Sequence, residues 1–194
     1  NWDTCCGALT DMGPHYFDFA QWAHGTERSG PATFEGEGYF LERAFHNNIP
    51  YMLKACARYA DGLRLYMDTQ PKGVRFDGDE GWVRLDDDEA GKGSIQVSRP
   101  SLLKDLNPPE SGWKIAIPHL RNFVACVKTR QEPVSGPEVA HRAHTIAHCA
   151  NIAIRLGRKL AWDPCKEVFI GDEEANRARA QRIAGPAHRH VGVA

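Results

Sequence analysis

The stretch YMLKACARYADGLRLYMDT, residues 51–69, sets two runs rich in β-forming residues on either side of Ala60-Asp61-Gly62. An Asp-Gly step between such runs is a hairpin signal, because glycine supplies the positive φ that tight turns require. Residues 51–59 and 63–69 are therefore predicted as paired strands. Downstream, residues 73–77 and 81–86 repeat the arrangement around Gly78-Asp79-Glu80, and residues 94–98 add a further strand. Adjacent hairpins predict an open, mainly antiparallel β-sheet packed on helices, with its second face left for solvent or a partner.

Working outward, residues 26–50 are rich in Gly, Ser, Pro, Asn and Thr and read as connection, with one short strand at 32–37. Gly36 and Gly38 suggest a dinucleotide loop, but Leu41 stands where the next glycine would fall and no hydrophobic strand feeds it, so no phosphate cradle is expected. Beyond the strands, Pro100, Pro108, Pro109 and Pro118 punctuate an irregular crossover. Helical spacing then returns, with Leu120, Phe123, Val124 and Val127 in residues 119–130. A longer helix opens with Pro137 and Glu138 and closes at Gly157, and Asp172 is positioned to cap a last, charged helix through about Ile183. Residues 1–184 thus form one α+β domain, followed by a flexible tail at 185–194.

At 194 residues the chain can bury a real core, and a content of 42% hydrophobic and 25% charged residues is that of a soluble globular protein. A net charge of −1 gives no global field toward nucleic acid or an anionic membrane, so neither is expected as a partner. Locally, Asp77, Asp79, Glu80, Asp86, Asp87, Asp88 and Glu89 make an acidic region, and Arg177, Arg179, Arg182, His188, Arg189 and His190 a basic end. Both read as solvated surface. The six cysteines, at 5, 6, 56, 126, 149 and 165, contain no C-x-x-C and read mostly as free thiols, which makes the cytoplasm the default compartment. The chain begins at Asn1 without a methionine, which leaves room for an upstream region that would carry any export signal.

The candidate chemistry lies in GALTDMGPHYFDFAQWAHG, residues 7–25. A helix from about Asp11 to His24 would place Asp11, His15, Asp18 and Trp22 on one face and Phe17, Ala20 and Ala23 on an apolar one. Pro14 suits a first turn, and Gly25 suits the left-handed position after the last. A carboxylate that accepts from one ring nitrogen fixes the tautomer of a histidine and leaves the other nitrogen to move a proton near neutral pH. The same spacing also describes an N-capping Asp beside a buried, hydrogen-bonded His. On the long helix, His141, His144 and His148 share a face next to Cys149 and are weak candidates for zinc or copper, completing no compact ligand motif.

Three blocks together resemble the C-terminal domain of the glucose-fructose oxidoreductase/inositol dehydrogenase (Gfo/Idh/MocA) family, in its large bacterial branch. G-A-L-T-D-M-G-P-H-Y-F-D-F-A-Q-W is similar to that family's G-x-L-x-D-W-G-x-H-x-x-D-x-A-x-W. G-V-R-F-D-G-D-E-G-W-V matches a middle segment, and L-R-N-F-V-A-C-V-K-T-R with L-G-R-K-L-A-W-D-P and G-D-E-E-A-N-R matches the end. The resemblance implies the substrate-binding and oligomerisation half of an NAD(P)-dependent oxidoreductase acting on a sugar or polyol secondary hydroxyl. NAD or NADP would be held by an N-terminal Rossmann domain that this chain lacks, so the chain is expected to be inactive by itself. It implies His15 as proton acceptor, Asp11 as its orienting partner, Tyr16 and Asp18 as substrate contacts, and a homo-oligomer built through the open sheet. Met12 replaces the branch's tryptophan beside the site, Pro14 stiffens the turn before His15, and Ala143 and His144 replace small hydroxyl residues. His141 and His148 match histidines common in the branch. Two alternatives stand beside this reading: a non-catalytic binding or assembly module with the same fold, and a metal-binding domain built on the histidine stripe.

Overall fold

The structure, a computed structural model, describes residues 7–40, 49–69, 73–86, 94–104 and 113–181. Cys5, Cys6, Leu41, Asp87, Asp88, Glu89, Pro108, Pro109, Arg182, His188, Arg189, His190 and the 185–194 tail lie outside the described residues. In chain order the elements are α1 (Ala8–Asp11), α2 (Gly13–His24), β1 (Thr33–Tyr39), β2 (Met52–Arg58), β3 (Arg64–Asp68), β4 (Val74–Gly78), β5 (Gly81–Asp86) and β6 (Ser94–Val97). A 3-10 turn (Pro100–Leu103), α3 (Trp113–Thr129), α4 (Pro137–Leu156), β7 (Leu160–Asp163), β8 (Val168–Phe169) and α5 (Glu173–Gln181) follow. The architecture is α+β with open, antiparallel sheets. The chain divides into two compact units, one of Asn1–Thr69 with His141–Ala194 and one of Gln70–Ala140.

The first unit holds a five-stranded sheet in the order β3-β2-β1-β7-β8, with every neighbouring pair antiparallel. Its hairpin is the predicted one. The Tyr59 N–H donates to the Leu63 carbonyl at 2.9 Å, the Leu63 N–H donates to Asp61 Oδ1 at 3.1 Å, and Gly62 takes φ 99°. The sheet's centre is β1, which stands in the register Thr33↔Arg58 through Tyr39↔Met52. Composition hides this strand, since TFEGEGY has two glycines, yet those glycines explain its position. A Cβ on Gly36 would lie 2.8 Å from Ala55 Cβ and 2.9 Å from Ile154 Cγ1, and one on Gly38 would lie 2.8 Å from Ile154 Cγ2. The G-x-G therefore admits Ile154 of α4 against the backbone of β1. Phe34, Ala55, Ala57, Met67, Ile146, Ile152, Leu160, Trp162 and Phe169 complete this buried core. The opposite sheet face carries Glu35, Glu37, Tyr39, Met52, Lys54, Cys56, Arg58, Arg64, Tyr66 and Asp68, all exposed or half-buried. β7 and β8, four and two residues long, were too short to read from periodicity. The capping signals hold: Gly157 ends α4 at φ 62°, and Asp172 Oδ1 accepts the Ala175 N–H at 2.9 Å to start α5.

The second unit is a three-stranded sheet, β4-β5-β6, with the 3-10 turn and α3. The predicted second hairpin is present, but it belongs to this separate sheet and does not extend the first. Arg75 lies 4.6 Å over the Trp82 ring and pairs with Asp77 at 2.6 Å, while Arg84 pairs with Asp86. Helix α3 starts earlier than expected and runs through Pro118. Its apolar stripe stands in the open, with Leu120, Phe123, Val124 and Val127 between 50% and 61% exposed.

Gly36→Ala tests the close approach at β1. Overpacking against Ile154 and Ala55 is expected to lower stability by about 1–3 kcal/mol, read as a lower urea midpoint at unchanged slope.

Candidate functional site

The candidate chemistry is carried by α2, and proline decides where this helix begins. Pro14 has no N–H to reach the Thr10 carbonyl, so the ladder breaks. Residues 8–11 form a four-residue helix of their own, Met12 stands between the two helices, and α2 starts at Gly13. This corrects the expected single helix from Asp11 to His24. Gly25, at φ 72°, closes α2 through its N–H to the Gln21 and Trp22 carbonyls.

The break changes which groups share a face. His15, Asp18 and Trp22 remain together on the outer side of α2, joined by Phe19, and Trp22 is 70% exposed. Phe17 and Ala20 face the core as expected, whereas Ala23 is exposed. Asp11, on α1, and His15 are both exposed, and among the described residues no hydrogen bond joins them. Tyr16 and Asp18 are half-buried. Burial pushes the Asp18 carboxyl above its ordinary range, the Glu27 charge adds to this, and the neighbouring His15 opposes it. Asp18 is thus a carboxyl close enough to feel His15, one turn along the same helix.

A second polar group at the other end of α2 was not legible in the sequence. Gln21 is fully buried, and its Oε1 accepts the Tyr59 hydroxyl at 3.2 Å. One turn on, His24 Nε2 lies 2.8 Å from Asp61 Oδ2 and Nδ1 lies 3.1 Å from Thr26 Oγ1, while the imidazole meets the Tyr59 ring edge-on at 4.7 Å. An ionised carboxylate can only accept, so Nε2 carries a hydrogen here. The Leu63 N–H and then His24 hold the Asp61 carboxyl below its usual value. This carboxylate–imidazole pair joins residues 37 apart in the chain, a separation that no helical spacing reveals.

His141 and His144 are exposed and His148 is half-buried, and His141 Nε2 pairs with Glu167 Oε1 at 2.7 Å. Arg142 contacts the same oxygen at 3.0 Å. Among the described residues no group of three or more His, Cys, Asp or Glu side chains is arranged to hold a metal ion. Gly36 and Gly38 lie inside a strand beneath Ile154 and not at a strand-to-helix turn, so they do not fit a dinucleotide pyrophosphate. Cys56, Cys126, Cys149 and Cys165 are free thiols, and burial pushes Cys149 well up. Among the described residues no helix is long and apolar enough to cross a membrane.

Burial pushes the Tyr59 hydroxyl up to about 12, with the Asp61 charge adding to the shift and Thr26 opposing it. A raised folded value leaves this stability intact below the unfolded tyrosine value near 10 and removes it as pH climbs from about 10 to about 12. In an absorbance titration, one of the five tyrosines is expected to ionise late, and Tyr59→Phe to remove that step.

Comparison with known proteins places this geometry. A family model described as the oxidoreductase family, C-terminal alpha/beta domain (Gfo/Idh/MocA), matches residues 1–188. No curated protein matches the chain. Among solved structures it is similar to aldose-aldose oxidoreductase from Caulobacter crescentus complexed with glycerol, at 15% identity and a TM-score of 0.56 over 77% of this chain and 45% of that one. It is also similar to a probable dehydrogenase from Thermotoga maritima, at 17% identity and a TM-score of 0.55 over 82% and 51%. A third is the WlbA dehydrogenase from Bordetella pertussis in complex with NADH and UDP-GlcNAcA, at 14% identity and a TM-score of 0.50 over 78% and 44%. At such identities the likeness shows the fold, and the chain spans about half the length of the structures it matches. With the family model covering residues 1–188, the chain belongs to the Gfo/Idh/MocA oxidoreductase family as its C-terminal alpha/beta domain.

Proposed function

We propose that this chain is the substrate-side and assembly half of an NAD(P)-dependent oxidoreductase that acts on a secondary hydroxyl of a sugar or polyol. The observation that carries the reading is the outer face of α2, where an exposed imidazole, His15, stands one turn from a half-buried carboxyl of raised proton affinity, Asp18. His15 takes the hydroxyl proton, and a carboxyl such as Asp18 orients a neighbouring hydroxyl. Tyr16 and Asp11 flank the same turn, Asp11 as a second acceptor for substrate or imidazole. NAD or NADP supplies the oxidising power, and a separate dinucleotide-binding domain holds it; in support, this chain spans 44% of a relative in complex with NADH. The names of the relatives support this class: one is complexed with glycerol, and another with NADH and a UDP-sugar.

The free face of the five-stranded sheet carries the proposed homo-oligomer contact. Its register sets Arg58 and Arg64 in one row and Glu37, Lys54 and Asp68 two rows away, with Tyr39, Met52 and Tyr66 exposed beside them. Charges of both signs on one face suit an isologous two-fold contact, in which each patch meets its own copy. One observation favours the alternative of a non-catalytic binding or assembly module with the same fold: the unjoined Asp11 and His15.

His15→Ala, in this chain joined to its dinucleotide domain, is expected to lower alcohol oxidation by about 10²–10⁴-fold with the fold intact, and the chain alone to show none. Turnover unaffected by the change would transfer the reading to the assembly module. Tyr66→Glu is expected to shift sedimentation from dimer to monomer.

A further inference from the structure

Helix α2 has few apolar side chains to set its rotation about its own axis. Its buried positions are Gly13, Pro14, Phe17, Ala20 and Gln21, so Phe17 is its only large apolar side chain in the core. Apolar burial is non-directional and does not by itself specify one angular setting. Directional contacts hold its C-terminal end. Gln21 receives the Tyr59 hydroxyl, and His24 spans Thr26 and Asp61 at 3.1 and 2.8 Å. Both Asp61 oxygens are engaged, one by the imidazole and the other by the Leu63 N–H of the hairpin turn. The helix end is therefore bonded to the same carboxylate that shapes the β2–β3 turn.

We propose that His24, through Asp61, is a positioning residue that sets where His15 presents its imidazole. The inference rests on the reading of His15 as proton acceptor. The two histidines are nine residues apart, or about two and a half helical turns, so they project from opposite sides of α2. His24 is half-buried toward the hairpin and His15 is exposed. A helix this short moves as a rigid rod. A rotation of about 20° swings a side chain lying about 6 Å from the axis through about 2 Å, and a misplacement of about 1 Å at a reacting group can lower a rate about 10²-fold. His24 touches no proposed substrate position and acts only through the helix.

The test reads position and not activity, using the 194-residue chain and imidazole nitrogen–proton NMR. His24→Phe keeps an aromatic edge against Tyr59 and loses both polar bonds, while His24→Gln keeps an amide donor for Asp61. In the Phe variant the His15 ring signals are expected to move and the amides of residues 15–18 to exchange about tenfold faster, with the Trp162 indole signal unchanged. The Gln variant is expected to restore the His15 signals. Should His24→Phe not fold, Asp61→Asn removes the charge, keeps an acceptor for the turn, and is expected to move the same signals. Unchanged His15 signals in a folded Phe or Asn variant, or a shift that Gln does not reverse, would overturn the proposal. Failure of the catalytic reading would appear elsewhere, as turnover surviving His15→Ala while these signals still respond to His24.

Discussion

The contact between Ile154 and the two glycines of β1 is the constraint on which the first unit depends. Any side chain at Gly36 or Gly38 would push α4 away from the central strand. β1 in turn pairs with β2 and β7, so its spacing from the helix fixes both halves of the five-stranded sheet. The β2–β3 hairpin then projects Tyr59 and Asp61 toward α2, and these hold the helix that carries His15. A glycine pair that resembles a nucleotide motif in the sequence is thus the first link in placing the candidate site.

Much of this was legible where local chemistry dominates. The Asp-Gly turn, the Gly157 and Asp172 caps and the opening of α4 at Pro137 all depend on backbone requirements that a few residues express. The central strand was visible only as a short piece at 32–37, because its glycines serve packing rather than strand propensity. β7 and β8 lie below the length at which alternation can be read. The single helix expected from Asp11 gave way to two because Pro14 cannot donate to the Thr10 carbonyl; it stands instead in the first turn of α2, where its missing N–H has no intrahelical partner to lose.

The site shows the same division. His15 and Asp18 were identified through spacing and resemblance, and the structure keeps them on one outer face. Asp11 was named with His15 through an i, i+4 spacing that assumes an unbroken helix. The carboxylate–imidazole bond that the fold does form, His24 with Asp61, connects a helix end to a turn through tertiary structure alone. Family membership establishes an oxidoreductase domain. In the proposed function, the residues on α2 supply acceptors for substrate hydroxyls and the cofactor is held by another domain.

The intact mass of the native gene product tests the central claim most directly. The account predicts a chain about twice as long as this one, as in the structures of which it spans 44–51%, with a dinucleotide-binding domain in the remainder. A native protein no longer than this chain would contradict the substrate-half reading and leave an assembly module with the fold of its family.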